Sequence, residues 1–260
     1  TSSQTAIGFR ALRLATSGQH NTAVGYECME KQVTGSENTC VGKYAGKEIT
    51  SGNRNVLKGY QAGFYISTGA ENVCIGSYAG AATNSDAAGM NGVVCVGEEV
   101  MHAGGASHAV AIGYQTGYNT KGANNVGIGY RAMSYGASSG AHSGTSGAYV
   151  GDYSGYYVSS GGTNSCLGHA SGYNLTTGSN NVCIGADSGR SGSPSGAIST
   201  GSHNVVLGNN NTQNLYCADT SISSSDSRDK TDVTDFNIGL TWINALRPVT
   251  YRWDRRTWYG

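Results

Sequence analysis

The chain has 260 residues, a formal net charge of zero and only 12% charged residues. This composition provides no basic stripe for a nucleic acid backbone and argues against a nucleic acid partner. Collagen is also excluded, because the chain has 41 glycines but only two prolines, and the glycines do not recur at every third position. No apolar run is long enough to span a membrane.

A short apolar stretch that ends in glycine recurs twelve times along the chain. We call these residues the anchor glycines: Gly8, Gly25, Gly42, Gly59, Gly76, Gly97, Gly113, Gly129, Gly151, Gly168, Gly185 and Gly208. Most intervals between them are 16 or 17 residues. A unit this short cannot bury a core alone, so neighbouring units must stack and share one. The repeat predicts an all-β, parallel β-roll or β-helix solenoid of about 12 coils, each of roughly 17 residues.

Each unit predicts the same local structure. The residues before the anchor glycine alternate apolar with small side chains, which predicts a short strand packed on both faces. The stretch after the next glycine, such as 64–68, predicts a second strand in the coil. Eight units carry asparagine four places before the anchor, as at Asn38 and Asn55, and stacked coils would join these amides into a ladder.

Five cysteines occupy the position two residues before an anchor glycine, where other units have alanine. We interpret them as small buried side chains. A bridge between neighbouring coils, such as Cys74 with Cys95, is the alternative, although parallel side-chain vectors give it poor geometry. No cysteine or histidine spacing indicates a metal site, and we expect no metal and no other cofactor.

The first repeat is already under way by Thr5, which favours a piece of a longer protein. Stacking such units gives a thin rod that leaves an apolar face exposed to water. Self-association along the rod, most simply as a homotrimer, is the expected remedy.

Two strings carry a resemblance to known proteins, His-Ala-Val-Ala-Ile-Gly-Tyr-Gln-Thr at 108–116 and Asn-Thr-Ala-Val-Gly-Tyr at 21–26. They resemble the head repeats of trimeric autotransporter adhesins and, in longer versions, the stalk repeats of tail-fibre proteins. The resemblance covers residues 5 to about 212. It implies a trimeric parallel β-roll or β-helix located outside the cell, on a virion tail fibre or a bacterial surface.

The composition changes after Asn214, where glycine becomes rare and charge increases. We therefore predict a repetitive domain over 1–218 and a C-terminal chaperone or trimerisation segment over 219–260. Apolar spacing predicts a helix over 236–246, and residues 249–253 read as a strand, so this segment is expected to be a small α+β unit.

The segment from Ser225 to Lys230, together with the later string Ala-Leu-Arg-Pro-Val-Thr-Tyr-Arg-Trp at 245–253, resembles the start of an endosialidase-type intramolecular chaperone. The resemblance implies a trimerising chaperone that cleaves its own chain once. Ser225 would be the nucleophile, the bond before Asp226 would be cut, and Lys230 would assist as a base. The alternative is a tail that only joins three chains, without proteolysis.

The candidate binding residues lie where the repeat is enlarged or rich in tyrosine. The insertion at 130–150 supplies Tyr135 and His142, and the tyrosine rows supply Tyr156 and Tyr157. Loops and stacked tyrosines suit a glycan ligand. The alternatives are a tolerated insertion and packing between chains.

These observations favour a receptor-binding fibre that recognises host or prey surface glycans and has no turnover activity. Two alternatives remain at this stage. One is a tail spike that depolymerises polysaccharide, although carboxylates are sparse in the repeats and glycoside hydrolysis usually needs a pair of them. The other is a purely structural spacer.

Overall fold

The computed structural model describes residues 3–81, 89–134 and 141–216. These residues form a parallel β-solenoid with one sheet of twelve strands in chain order, and they contain no helix. The strands are β1 (Thr5–Ile7), β2 (Thr22–Val24), β3 (Thr39–Val41), β4 (Val56–Lys58), β5 (Val73–Ile75), β6 (Val94–Val96), β7 (Val110–Ile112), β8 (Val126–Ile128), β9 (Ala148–Val150), β10 (Ser165–Leu167), β11 (Val182–Ile184) and β12 (Val205–Leu207). The predicted fold class is confirmed.

Every strand ends at the residue before an anchor glycine, and each residue pairs with its counterpart in the next unit. Cys40 of β3, for example, lies opposite Leu57 of β4. The repeat in the sequence therefore sets the register of the sheet directly. Thr1–Asn214 form one compact unit. The predicted boundary at 218/219, the helix over 236–246 and the strand over 249–253 lie outside the described residues.

The central residue of each strand from β2 onward points into the coil and is buried, whereas its two neighbours face outward. In β5, Cys74 has no exposed surface while Ile75 keeps 38% of its surface exposed. The prediction of strands packed on both faces is therefore wrong for the single chain. The alternation of side chains places the small central residue inside the coil. No second layer within the described part of the chain covers the residues on the outer face of the strand.

The second strand predicted in each coil is also wrong among the described residues, because this stretch turns. The amides of Thr50 and Ser51 both donate to the carbonyl of Ser67, at 2.8 and 3.2 Å. In a parallel ladder, consecutive amides do not share one acceptor, so the chain bends here instead of extending. The apolar residue of the stretch, such as Ile66, still packs inside the coil.

Small and aliphatic side chains from both stretches fill the interior of the coils. The six cysteines in the described part of the chain are buried and unbridged. Burial raises the pKa of the Cys40 thiol, so it stays protonated and behaves as a small apolar group. This agrees with the interpretation of the cysteines as buried side chains.

The predicted asparagine ladder is present in two runs, Asn21 to Asn72 and Asn164 to Asn204, while Asn125 bonds only to backbone groups. The Asn38 amide donates to Asn21 Oδ1 at 3.1 Å, Asn55 donates to Asn38 at 2.9 Å, and Asn72 donates to Asn55 at 2.9 Å. Each of these amides also donates to a backbone carbonyl, as Asn38 does to Gly52 and Asn72 does to Met90, both at 2.8 Å. The ladder therefore satisfies polar groups at a corner that water does not reach.

Stacking at the anchor glycines brings backbone against backbone. Gly76 has φ of +133°, and a Cβ placed there would overlap the carbonyl oxygen of Gly97 in the next coil. That φ is unfavourable for any side chain, and the overlapping atom belongs to the backbone and cannot move aside. Glycine is therefore required at this position on both grounds.

We predict that Gly76→Ala lowers the free energy of unfolding by about 2–4 kcal/mol, measured by chemical denaturation. The matched control is Gly192→Ala, since a Cβ at Gly192 meets no atom within 4 Å. We expect this control to change stability by less than about 0.5 kcal/mol. Equal stability of the two variants would show that backbone contact does not limit the coil spacing.

Candidate ligand site

Each of the first eleven coils bends at the second residue after its anchor glycine, which has a positive φ in the left-handed region, for example +57° at Tyr153. The backbone amide at this corner donates to the coil before it, as Arg131 does to the carbonyl of Tyr114 at 2.9 Å. We call these residues the corner column: Arg10, Glu27, Tyr44, Gln61, Tyr78, Glu99, Gln115, Arg131, Tyr153, Ala170 and Asp187. Stacking thus places one side chain per coil along one edge of the rod.

Aromatic rings pack on one another along this edge. The ring centroids of Tyr114 and Tyr130 are 5.4 Å apart, and those of Tyr130 and Tyr153 are 5.2 Å apart. Tyr130 keeps 37% of its surface exposed, so the rings cover one another only in part. The predicted rows of tyrosine therefore exist and are partly exposed to water.

Ala170 interrupts the corner column, since every other member has a longer side chain. A cleft of about 380 Å³ opens at this coil, and we call it the corner cleft. Its lining is Arg131, Tyr153, Tyr156, Tyr157, His169, Ala170, Tyr173 and Arg190. Ala170 keeps only 1% of its surface exposed and lies in the column between the longer side chains of Tyr153 and Asp187.

Four tyrosines form the aromatic wall of the corner cleft. Tyr156 and Tyr173 are stacked, with centroids 5.4 Å apart and an interplanar angle of 13°. Tyr157 meets Tyr173 edge to face at 5.0 Å. Burial raises the pKa of Tyr173, and the hydrogen bond with Tyr130 raises that of Tyr153. Both hydroxyls are therefore protonated at neutral pH, and each already forms a hydrogen bond with another tyrosine, Tyr153 with Tyr130 and Tyr173 with Tyr157.

Two arginines and a histidine complete the lining. The guanidinium of Arg190 lies 4.6 Å from the centroid of the Tyr173 ring, and its Nη1 is 2.5 Å from Asp187 Oδ1. Arg131 Nε donates to Gln115 Oε1 at 2.7 Å. No carboxylate belongs to the described lining. The cleft therefore combines aromatic faces, hydroxyl groups and cationic side chains.

The structure brings together only two of the predicted binding residues. Tyr156 and Tyr157 both line the corner cleft. Tyr135 and the predicted cleavage residues Ser225, Asp226 and Lys230 lie outside the described residues.

His142 is buried and does not line the corner cleft, which corrects its prediction as an exposed ligand contact. Its ring meets Tyr149 edge to face at 5.9 Å, and neither ring nitrogen has a hydrogen-bond partner. Burial lowers the pKa of His142 to about 4, so the ring is neutral at pH 7. Tyr149 fills the coil interior because Gly147 and Gly155 leave room for its ring. The insertion therefore contributes His142 to the core.

The sequence prediction omitted Arg131, His169 and Arg190 from the site. A signal for them exists in the register. Aligning the units by their anchor glycines places Arg131 and Ala170 at one position, and Tyr156, Tyr173 and Arg190 at another.

Within the described ranges, no cluster of histidine, cysteine, aspartate and glutamate side chains has a geometry that could hold a metal ion. The same part of the chain has no helix with the length and hydrophobicity needed to cross a bilayer.

Comparison with known proteins identifies one region. Residues 225–258 match the family model described as the chaperone of endosialidase, which confirms the resemblance predicted for the tail. No curated protein and no solved structure matches the chain. The matched segment and the parallel β-solenoid together fit a tail-fibre-like or tail-spike-like protein.

Proposed function

We propose that this chain forms part of a homotrimeric surface fibre that binds a glycan of the host or prey in the corner cleft. The observation that carries this proposal is the cleft at Ala170, which four tyrosines and three cationic or imidazole side chains line. The proposal places the protein outside the cell, on a virion tail or a bacterial surface. It acts by adhesion and has no turnover of substrate.

The chemistry of the corner cleft suits a saccharide. Sugar rings have an apolar C–H face that packs on aromatic rings, and tyrosine adds a hydroxyl that reaches the polar rim of the sugar. The cleft volume of about 380 Å³ falls in the range of small-molecule sites, at its lower end. It therefore has room for one or two sugar units.

Depolymerisation of the glycan is less well supported than binding. Hydrolysis of a glycosidic bond usually needs two carboxyl groups on either side of the bond. The nearest carboxylate to the described lining, Asp187, is paired with Arg190. Incubation with surface polysaccharides followed by size analysis of the products tests this alternative, and any shortening would favour the tail spike.

We predict that Ala170→Gln abolishes glycan binding, because a longer side chain fills the interruption in the corner column. Glutamine is compatible with this backbone, since Gln61 and Gln115 occupy the same position with positive φ. Binding is measured on a glycan array. The matched control, Gln61→Ala, changes the same column away from the cleft and should leave binding intact.

Two results would count against this site. If Ala170→Gln binds as the wild type does, the corner cleft is not the glycan site. If the wild-type protein binds no glycan on the array, the structural spacer becomes the better account.

The proposed trimer rests on the outer face of the sheet. The two outward residues of each strand are apolar or hydroxylated along all twelve strands, and Lys58 is the one charged residue among them. Several keep large exposed areas in the single chain, including Leu167 at 52% and Ile184 at 44%. A continuous apolar face of this kind indicates association, and three copies of the rod would cover it.

The proposed contact predicts that the double variant Ile112→Glu with Ile128→Glu is monomeric. In a Ser225→Ala background, where the proposed cleavage cannot occur, the protein with an unaltered sheet should have three times the chain mass of 26.8 kDa by light scattering, and the double variant should have 26.8 kDa. The control Ser146→Glu adds charge at an exposed corner where other coils carry Glu37 and Glu71. A trimeric double variant would place the contact elsewhere.

We further propose that the tail assembles the trimer and then cleaves its own chain before Asp226. The support is the match to the chaperone of endosialidase, which begins at Ser225, the proposed nucleophile. Lys230 follows within the same matched segment and would supply the base.

Intact mass spectrometry tests the cleavage. We expect a wild-type product that ends at Ser225, and we expect Ser225→Ala and Lys230→Ala to leave the chain uncut. Ser224→Ala is the control for the position of the nucleophile within the serine run and should cleave normally. A wild-type chain that stays at full length would reject self-cleavage and favour a tail that only joins chains.

A further inference from the structure

We infer that the glycan bound in the corner cleft carries a carboxylate, and that Arg131 is the residue that selects it. This inference rests on the proposed glycan function and adds the chemical class of the ligand. It follows from the difference between the two arginines of the cleft, one of which has its charge balanced within the chain.

Arg190 has a carboxylate partner. Its Nη1 is 2.5 Å from Asp187 Oδ1, and its guanidinium also lies over the ring of Tyr173 at 4.6 Å. The charge of Arg190 is therefore compensated inside the site. Its guanidinium contributes to the aromatic stack of the wall more than to the capture of an anion.

Arg131 has no ion-pair partner among the described residues. Its side-chain hydrogen bond is to a neutral group, from Nε to Gln115 Oε1 at 2.7 Å. The Gln115 amide is oriented in turn, because its Nε2 donates to Glu99 Oε2 at 2.6 Å. The hydrogen bonds from Gln115 to Glu99 and from Arg131 to Gln115 thus position the Arg131 guanidinium. No carboxylate of the described residues contacts this guanidinium directly to balance its charge.

The Arg131 guanidinium also lies 5.5 Å from the centroid of the Tyr130 ring, but among the described residues its two terminal nitrogens have no hydrogen-bond partner and remain for a ligand. A guanidinium offers parallel donors that match the two oxygens of a carboxylate. The aromatic wall, which includes Tyr153 and Tyr156, lies in the same cleft, so a sugar ring can stack on it while the carboxylate of the sugar contacts Arg131. A carboxylated sugar satisfies both features, whereas a neutral sugar satisfies the wall alone.

The experiment uses the full chain and pairs of ligands that differ only in charge. The probes are oligomers of galacturonate, glucuronate and mannuronate, each compared with its methyl ester by isothermal titration calorimetry. We expect at least one acid to bind about tenfold or more tightly than its ester, as for a hydrogen-bonded charge pair. Arg131→Gln should remove this difference by weakening the binding of the acid to about that of its ester.

Arg54→Gln is the control for general charge effects, because Arg54 is an exposed arginine elsewhere on the rod that pairs with Glu71. It should preserve the preference for the acid. Thermal unfolding of each variant at the wild-type temperature establishes that the fold is intact.

Four results would overturn the inference. Equal binding of acid and ester would show a site that ignores charge, and the proposed glycan function would still stand. An equal loss of preference in Arg54→Gln and Arg131→Gln would assign it to the overall charge of the rod. Binding of neutral array glycans without binding of any acid oligomer would overturn the carboxylate alone, while a lack of binding to every glycan would overturn the proposed function as well.

Discussion

The contact between the backbones of successive coils at the anchor glycines is the constraint on which the rest of the rod depends. A Cβ at Gly42 or Gly76 would overlap a carbonyl oxygen of the next coil, so the layers approach as closely as backbone atoms allow. This approach brings the asparagines of neighbouring coils within reach of each other, as for Asn38 and Asn55, and keeps the twelve strands in register. The same stacking holds the corner residues in left-handed conformations that side chains otherwise avoid.

Much of this fold could be predicted from the sequence because the repeat is also the register. The spacing of the glycines gave the number and position of the strands, and the recurrence of asparagine gave the ladder. The outer face was harder, since alternation identifies a buried residue but does not say whether another layer covers its neighbours. The prediction of a second strand was wrong for a related reason. Ile66 packs in the core whether or not its backbone is extended, so its apolar side chain does not indicate a strand.

Only part of the candidate site could be predicted from the sequence. Tyr156 and Tyr157 stood out by residue type, whereas Arg131 and Arg190 are 59 positions apart and meet only when the units are stacked. His142 illustrates the opposite error. It belongs to an enlarged unit, but the small neighbours Gly147 and Gly155 admit Tyr149 to the interior, and the histidine packs there beside it.

At the position of Ala170, the backbone conformation belongs to the fold, whereas the side chain determines the shape of the surface. The corner backbone at this position has the same left-handed conformation as at Tyr153 or Asp187, so its geometry does not depend on which side chain it bears. Shortening one residue of the column opens a cleft, and lengthening it closes one, while the anchor glycines and the core remain as they are. A rod built in this way can acquire a new specificity, or move its site by a whole coil, through single substitutions that leave its folding untouched.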